Sequence, residues 1–138
     1  MDEVHIFTDG GSRGNPGPAA SAFLVVVERG GKEKVIRKMA KGIGRATNNQ
    51  AEYKAMIMAL QWAISRDFRN LVLHSDSELM IKQIRGEYSV RSPNVRDLHR
   101  NVMDLLRNTK WSAVHHRREH DKIAICDALV NRVLDEGK

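Results

Sequence analysis

At 138 residues, 41% of them hydrophobic and 29% charged, the chain has the size and balance of one globular domain built on one core. No apolar run reaches the ~20 residues of a membrane helix. The acidic start "MDEVHIF" lacks a leader pattern, and the lone Cys126 excludes an internal disulfide and a multi-cysteine zinc site, so a cytoplasmic protein is expected. A formal charge of +6 favours polyanionic partners, nucleic acid first.

The alternation in "EVHIFTD" predicts a strand, with Val4, Ile6 and Thr8 on one face and His5, Phe7 and Asp9 on the other. Gly10 to Pro18 reads as a loop. "AASAFLVVVERG" and "EKVIRKMAKGI" read as two further strands joined by a hairpin turn at "RGGK", the second polar enough to face water. "TNNQAEYKAMIMALQWAISRD" is a helix capped by Thr47 or Asn48 and apolar nearly all round, hence buried. "NLVLHSD" is a short strand ending, like the first, in Asp. "SELMIKQIRG" and the amphipathic "SPNVRDLHRNVMDLLRN" are helices, "KWSAVHHR" a last strand and "DKIAICDALVNRVLDEG" a last helix. The order β-β-β-α-β-α-α-β-α predicts an α/β fold. Its mixed five-stranded sheet has three antiparallel strands, then parallel ones, with helices on both faces. In such sheets ligands bind beyond the carboxyl ends of the parallel strands.

Four carboxylates sit oddly in this frame. Asp9 and Asp76 each end an apolar strand, Glu52 shares a stripe with Met56, Ala59 and Ala63, and Asp127 interrupts the stripe Ile123, Val130, Leu134. Each has an ordinary structural explanation. Asp9 can open a turn. Asp76 can favour a helix dipole beside a capping box of Ser75 and Glu78. Glu52 can do the same at its own helix start. Asp127 has the weakest one, since acids are almost never fully buried unpaired. Together, four acids from four elements can meet at one sheet edge. Unit charges ~4 Å apart repel by ~4 kcal/mol at an effective dielectric near 20. Either protons are shared or cations lie between them. Carboxylate oxygens suit Mg²⁺ or Mn²⁺ rather than zinc, and paired ions suit phosphodiester displacement.

The blocks "FTDGGSRGNPGPAA", "TNNQAE", "HSDSELMIKQI" and "CDALVN", in that order, resemble those of type 1 ribonuclease H, over nearly the whole chain. The resemblance implies a single ribonuclease H domain over residues 1–138. It implies an endonuclease that cuts the RNA strand of RNA/DNA hybrids to 5′-phosphate and 3′-hydroxyl ends. Two Mg²⁺ (or Mn²⁺) ions would be held by Asp9, Glu52, Asp76 and Asp127, and hybrid contacts would fall on Gly10, Gly11, Asn15, Thr47, Asn48 and Asn49. The Gly-rich loop then has a physical reason, because backbone without Cβ can approach a ligand closely. A monomer without a nucleotide cofactor is expected.

Three features depart from the family pattern. "RGEYSVRSPNVRD" joins two helices where many members carry a basic protrusion, so hybrid affinity is either modest or carried by residues such as Arg13, Lys41 and Arg45. Before the last acid, where many members place a mobile His, stands "HHRREH": His120 is the first choice for a role in turnover, Arg118 the alternative, and a solvated basic loop the plain reading. Glu78 replaces a commonly neutral residue and is expected to pair with Lys82 at i,i+4. Trp62 and Cys126 read as core, and His5 and His74 as satisfied, partly buried side chains rather than metal ligands. Rival functions are a hybrid-binding module of the same fold without catalysis and an ATP-using relative; no "GxxxxGK[ST]" supports the latter.

Overall fold

The computed structural model describes residues 3–137. Its elements are β1 (Val4–Ser12), β2 (Gly17–Arg29), β3 (Lys32–Ala46), α1 (Asn48–Ser65), β4 (Asn70–Ser75), α2 (Glu78–Ile84), α3 (Pro93–Leu106), β5 (Lys110–His115) and α4 (Asp121–Glu136). The five strands form one sheet in the order β3-β2-β1-β4-β5. β1 runs antiparallel to β2 and parallel to β4, and β4 runs parallel to β5. The expected order and mixed sheet are both present. Among the described residues no helix is long and apolar enough to cross a membrane.

Strand alternation assigns the two faces. Val4, Ile6, Phe23, Val25 and Val27 pack beneath α1, α2 and α3, while Phe7, Ala22, Leu24 and Val26 pack against Ile123, Cys126 and Val130 of α4. Helix α1 is the hub: Ala51, Ala55, Met56, Ala59, Leu60 and Ala63 are all fully buried, and its small residues let the helix lie close to the sheet. The buried Tyr53 hydroxyl donates to Gln83 Oε1 at 2.6 Å, tying α1 to α2. β3 lies at the sheet edge and is largely exposed along its 15 residues.

Thr47 caps α1 through a complete capping box. Its hydroxyl accepts from Gln50 N at 3.1 Å, and Gln50 Oε1 accepts from Thr47 N at 2.9 Å. Removing the hydroxyl by Thr47→Ala is expected to lower stability by about 1 kcal/mol. Urea unfolding of the two proteins checks this, and an unchanged midpoint would contradict it.

Two expectations need correction. The segment read as a loop from Gly10 to Pro18 is mostly strand: Gly11 pairs with Ala20 and Ser12 with Ala19, so only a tight turn separates β1 from β2. Gly and Pro there serve close approach and turn geometry rather than an open loop. Nor do Ser75 and Glu78 form a capping box: Ser77 caps α2, accepting from Met80 N at 3.2 Å, and Ser75 Oγ accepts from Ser77 N. The "RGGK" turn is as expected, with φ of 58° and 77° at Gly30 and Gly31. Both values are positive, the requirement for a two-residue hairpin that follows the strand twist.

Candidate active site

Asp9 extends from the central strand β1, Asp76 follows β4, Glu52 stands in the first turns of α1 and Asp127 in the middle of α4. All four line one polar cleft of about 280 Å³ at the carboxyl end of the parallel strands, with Gly10, Gly11, Arg13, Asn48 and Arg118 on its walls. A larger hollow of about 410 Å³ between β2, β3 and α4 is lined mainly by Ala, Gly, Val and Leu and offers no carboxylate.

The approach of Asp9 to Glu52 depends on Gly10. A Cβ at Gly10 would stand 2.3 Å from Ala51 C and 2.5 Å from Glu52 N. The β1 backbone therefore lies directly against the first turns of α1, and the buried Ser21 hydroxyl, on the β2 residue paired with Gly10, donates to Ala51 O at 2.6 Å. The absence of a side chain at Gly10 is what lets strand and helix touch. Gly11 differs, since its Cβ would meet only ordinary contacts at 3.6 and 3.9 Å.

Crowding changes the acids' protonation. Burial first, then the charges of Asp76, Asp127 and Glu52, push Asp9 up to about 8 from 3.8, against a lowering hydrogen bond from the Gly10 backbone. Burial also pushes Glu52 up to about 7, offset by a hydrogen bond from Ser77, raised further by Asp76 and lowered by Arg118. Glu52 Oε2 is buried and has no hydrogen-bond partner among the described residues. An unpaired buried carboxylate oxygen is costly, and a bound cation would satisfy it. Among the described residues, no three His, Cys, Asp or Glu side chains are arranged, as they stand, to hold one metal ion. Asp127 accepts from Asn131 Nδ2 at 3.4 Å and Asp76 faces Arg118 at 3.7 Å. Both carboxylates thus have a side-chain partner at the cleft. The donor set is all oxygen, which fits Mg²⁺ or Mn²⁺.

The residues expected to contact nucleic acid cluster where the β1–β2 turn meets α1. Asn15 Oδ1 accepts from Asn48 N at 3.0 Å, and Asn48 Oδ1 accepts from Ser12 N at 2.8 Å. Asn48 lines the acid cleft, Asn49 is exposed beside it and Thr47 is the helix cap. Arg13 lines the cleft and pairs with Asp135 of α4 at 2.6 Å.

His120 lies elsewhere. It caps α4, with Nδ1 accepting from Lys122 N at 3.2 Å, and its ring packs on Phe7 and His116. It is not among the cleft's lining residues, whereas Arg118 is. Of the two residues expected to assist turnover, Arg118 is the one that lines the cleft. His116 and His74 share a hydrogen bond of 2.6 Å, and His74 and His5 one of 2.9 Å. Burial, followed by the neighbouring His116, His5, His120 and Lys122, pushes His74 down to about 3, so it is neutral near pH 7. Strand alternation indicated partly buried histidines, but no local pattern showed that residues 5, 74 and 116 join. Glu78 pairs with Lys82 at 3.0 Å, as expected. Burial first, then Asp9 and Asp76, pushes the Cys126 thiol up to about 12, which leaves it a protonated core group.

A mixed sheet of this order, with four acids collected beyond its parallel strands, defines the ribonuclease H-like class. The comparisons agree. The reverse transcriptase-like family profile matches residues 7–133. Ribonuclease HI of Halobacterium salinarum is 41% identical over 135 residues, covering 97% of this chain and 65% of that protein. The crystal structure of RNase H1 from the same archaeon superposes with a TM-score of 0.88 at 40% identity, over 97% of this chain and 98% of that one. LC11-RNase H1, solved in complex with an RNA/DNA hybrid, gives a TM-score of 0.86 at 34% identity, over 97% and 98% of the two chains. A bifunctional protein of Mycobacterium tuberculosis matches at 38% over 97 residues, and the chain spans 26% of its length. The chain belongs to the type 1 ribonuclease H family.

Proposed function

We propose that this protein hydrolyses the RNA strand of RNA/DNA hybrids, leaving 5′-phosphate and 3′-hydroxyl ends. The observation that carries the reading is the convergence of Asp9, Glu52, Asp76 and Asp127 on one cleft, with Asp9 pushed up to about 8 by burial and its three acidic neighbours. Such a site favours cations. Two Mg²⁺ or Mn²⁺ ions would be held by these four carboxylates. When bound they would supply Lewis-acid stabilisation of the phosphate charge and activation of the attacking water.

The chain's own groups do the rest. The exposed Arg118, beside Asp76, offers a guanidinium to a phosphate entering the cleft. Gly11 presents backbone without a side chain at the cleft wall, where the 2′-hydroxyl that distinguishes RNA can come close. Gly10 sets the spacing of Asp9 and Glu52, and Asn15, Thr47, Asn48 and Asn49 form a polar shelf for the hybrid's sugar-phosphate backbone. Arg13, Lys41 and Arg45 add positive charge, so affinity should fall as salt rises. The protein acts as one catalytic domain, a cytoplasmic monomer without a nucleotide cofactor.

Labelled RNA/DNA hybrid, duplex RNA, single-stranded RNA and duplex DNA are incubated with Mg²⁺, Mn²⁺ or chelator. Only the RNA strand of the hybrid should be cut, and only with metal. Hybrid left intact in both metals would overturn the reading. In the same assay Arg118→Ala should lower kcat/KM about 10- to 100-fold, the scale of losing one donor to a developing anionic charge. Full activity would remove Arg118 from the site.

A further inference from the structure

We propose that His116 is a positioning residue: bonded to His74 and with its ring against that of His120, it fixes the loop that presents Arg118 to the cleft. The inference rests on the hydrolase reading and deepens it. Arg118 sits in a short connection between β5 and α4, and its side chain is 78% exposed, so nothing in its own packing holds it. Both ends of that connection are held. At the first end, His116 N donates to Ser75 O at 2.9 Å, which adds one rung to the β4–β5 ladder next to Asp76. The His116 ring then shares its 2.6 Å hydrogen bond with His74, whose other nitrogen bonds His5. At the second end, His120 N donates to Arg117 O at 3.1 Å, and the His120 side chain caps α4.

The two ends are joined to each other. The His116 and His120 rings lie 4.3 Å apart, His74 and His116 4.8 Å, and Phe7 lies 4.2 Å from His74 and 5.4 Å from His120. Four rings, from β1, β4 and the two ends of the connection, thus form one cluster. Only Arg117, Arg118 and Glu119 lie between its two loop histidines, too few to move far. The cluster therefore sets where the Arg118 guanidinium stands relative to Asp76. His116 does this without touching substrate.

The test compares His116→Phe, which keeps a stacked ring but cannot bond His74, with His116→Gln, whose amide reaches the position of the lost ring nitrogen. Hybrid cleavage is measured for each in the wild-type and Arg118→Ala backgrounds. His116→Phe should lower kcat about fivefold, the worth of one net hydrogen bond, with KM changed less than about twofold. His116→Gln should recover most of the loss. In the Arg118→Ala background His116→Phe should cost less than about twofold, because the group it positions is gone. Equal losses in the two backgrounds, no loss in the first, or no recovery by Gln would overturn the proposal. Amide hydrogen exchange over residues 116–120, read without substrate, should quicken in His116→Phe and not in His116→Gln; unchanged exchange in both would likewise overturn it. A wild-type protein that cuts no hybrid would instead sink the hydrolase reading, and exchange would still judge the anchor.

Discussion

Replacing Asp9 with Asn is expected to abolish hydrolysis while making the cation-free protein harder to unfold. The reason lies in the same crowding. Asp9 is 7% exposed and its folded-state value of about 8 lies well above the ordinary 3.8. A carboxyl raised in the folded state contributes most stability below its unfolded value. Between pH ~4 and ~8 the unfolded chain releases the proton while the folded one keeps it, so stability falls as pH rises. Glu52, at about 7, acts in the same direction. At pH 9 with chelator, Asn removes one of the repelling charges and should raise unfolding free energy by about 2 kcal/mol, after allowing for water entry and side-chain rotation. With Mg²⁺ the ranking should reverse or close, because the wild-type site gains a ligand that the variant binds poorly. Cleavage should drop at least about a thousandfold, in keeping with the loss of several kcal/mol of charge stabilisation. Urea titrations at pH 5 and 9, with chelator and with Mg²⁺, give the stability half. A variant less stable than wild type at pH 9 in chelator would show that the acids are not in conflict.

Gly10→Ala carries the second large expected effect. A methyl group 2.3 Å from the Ala51 carbonyl carbon cannot be absorbed by a flexible side chain, because the obstacle is helix backbone. Strand β1 and helix α1 must separate by about an ångström, breaking the Ser21 to Ala51 bond as well. The loss should be about 3 kcal/mol of stability. Because Asp9 and Glu52 move apart with those elements, any folded fraction should lose about 100-fold in turnover. Gly11→Ala is the control for folding, with contacts no closer than 3.6 Å, and should unfold within about 0.5 kcal/mol of wild type. Equal unfolding midpoints for Gly10→Ala and wild type would refute the packing account.

The contrast between these glycines shows where a sequence is readable. Asp9 and Asp76 stand out in one dimension because each ends an apolar strand, and Asp127 because it interrupts an apolar helical stripe. Glu52 follows from its helical stripe with Met56, Ala59 and Ala63, all of them buried. Element order followed for the same reason: burial on one or both faces leaves a period of two or of 3.6. Gly10 could not be understood that way, since the reason for it is a helix 41 residues further on whose backbone position depends on the whole fold. Nor could the histidines. Their spacing in "HHRREH" is compatible with a solvated loop, and only the parallel pairing of β1 with β4 and β4 with β5 brings residues 5, 74 and 116 into line. The different placement of His120 and Arg118 follows from helix capping. A histidine just before α4 satisfies an orphan backbone donor, and that bond takes it out of the cleft.

The exposed edge strand β3 has a consequence of a different kind. Among the described residues its outer backbone faces no other strand, so it is a ready template for a second copy of the molecule. Six cations, Lys32, Lys34, Arg37, Lys38, Lys41 and Arg45, are spread along it with Glu33 as its one acid. Two such edges brought side by side would set like charges a few ångströms apart, so solubility is guarded by mutual repulsion where hydrogen bonding alone would invite aggregation.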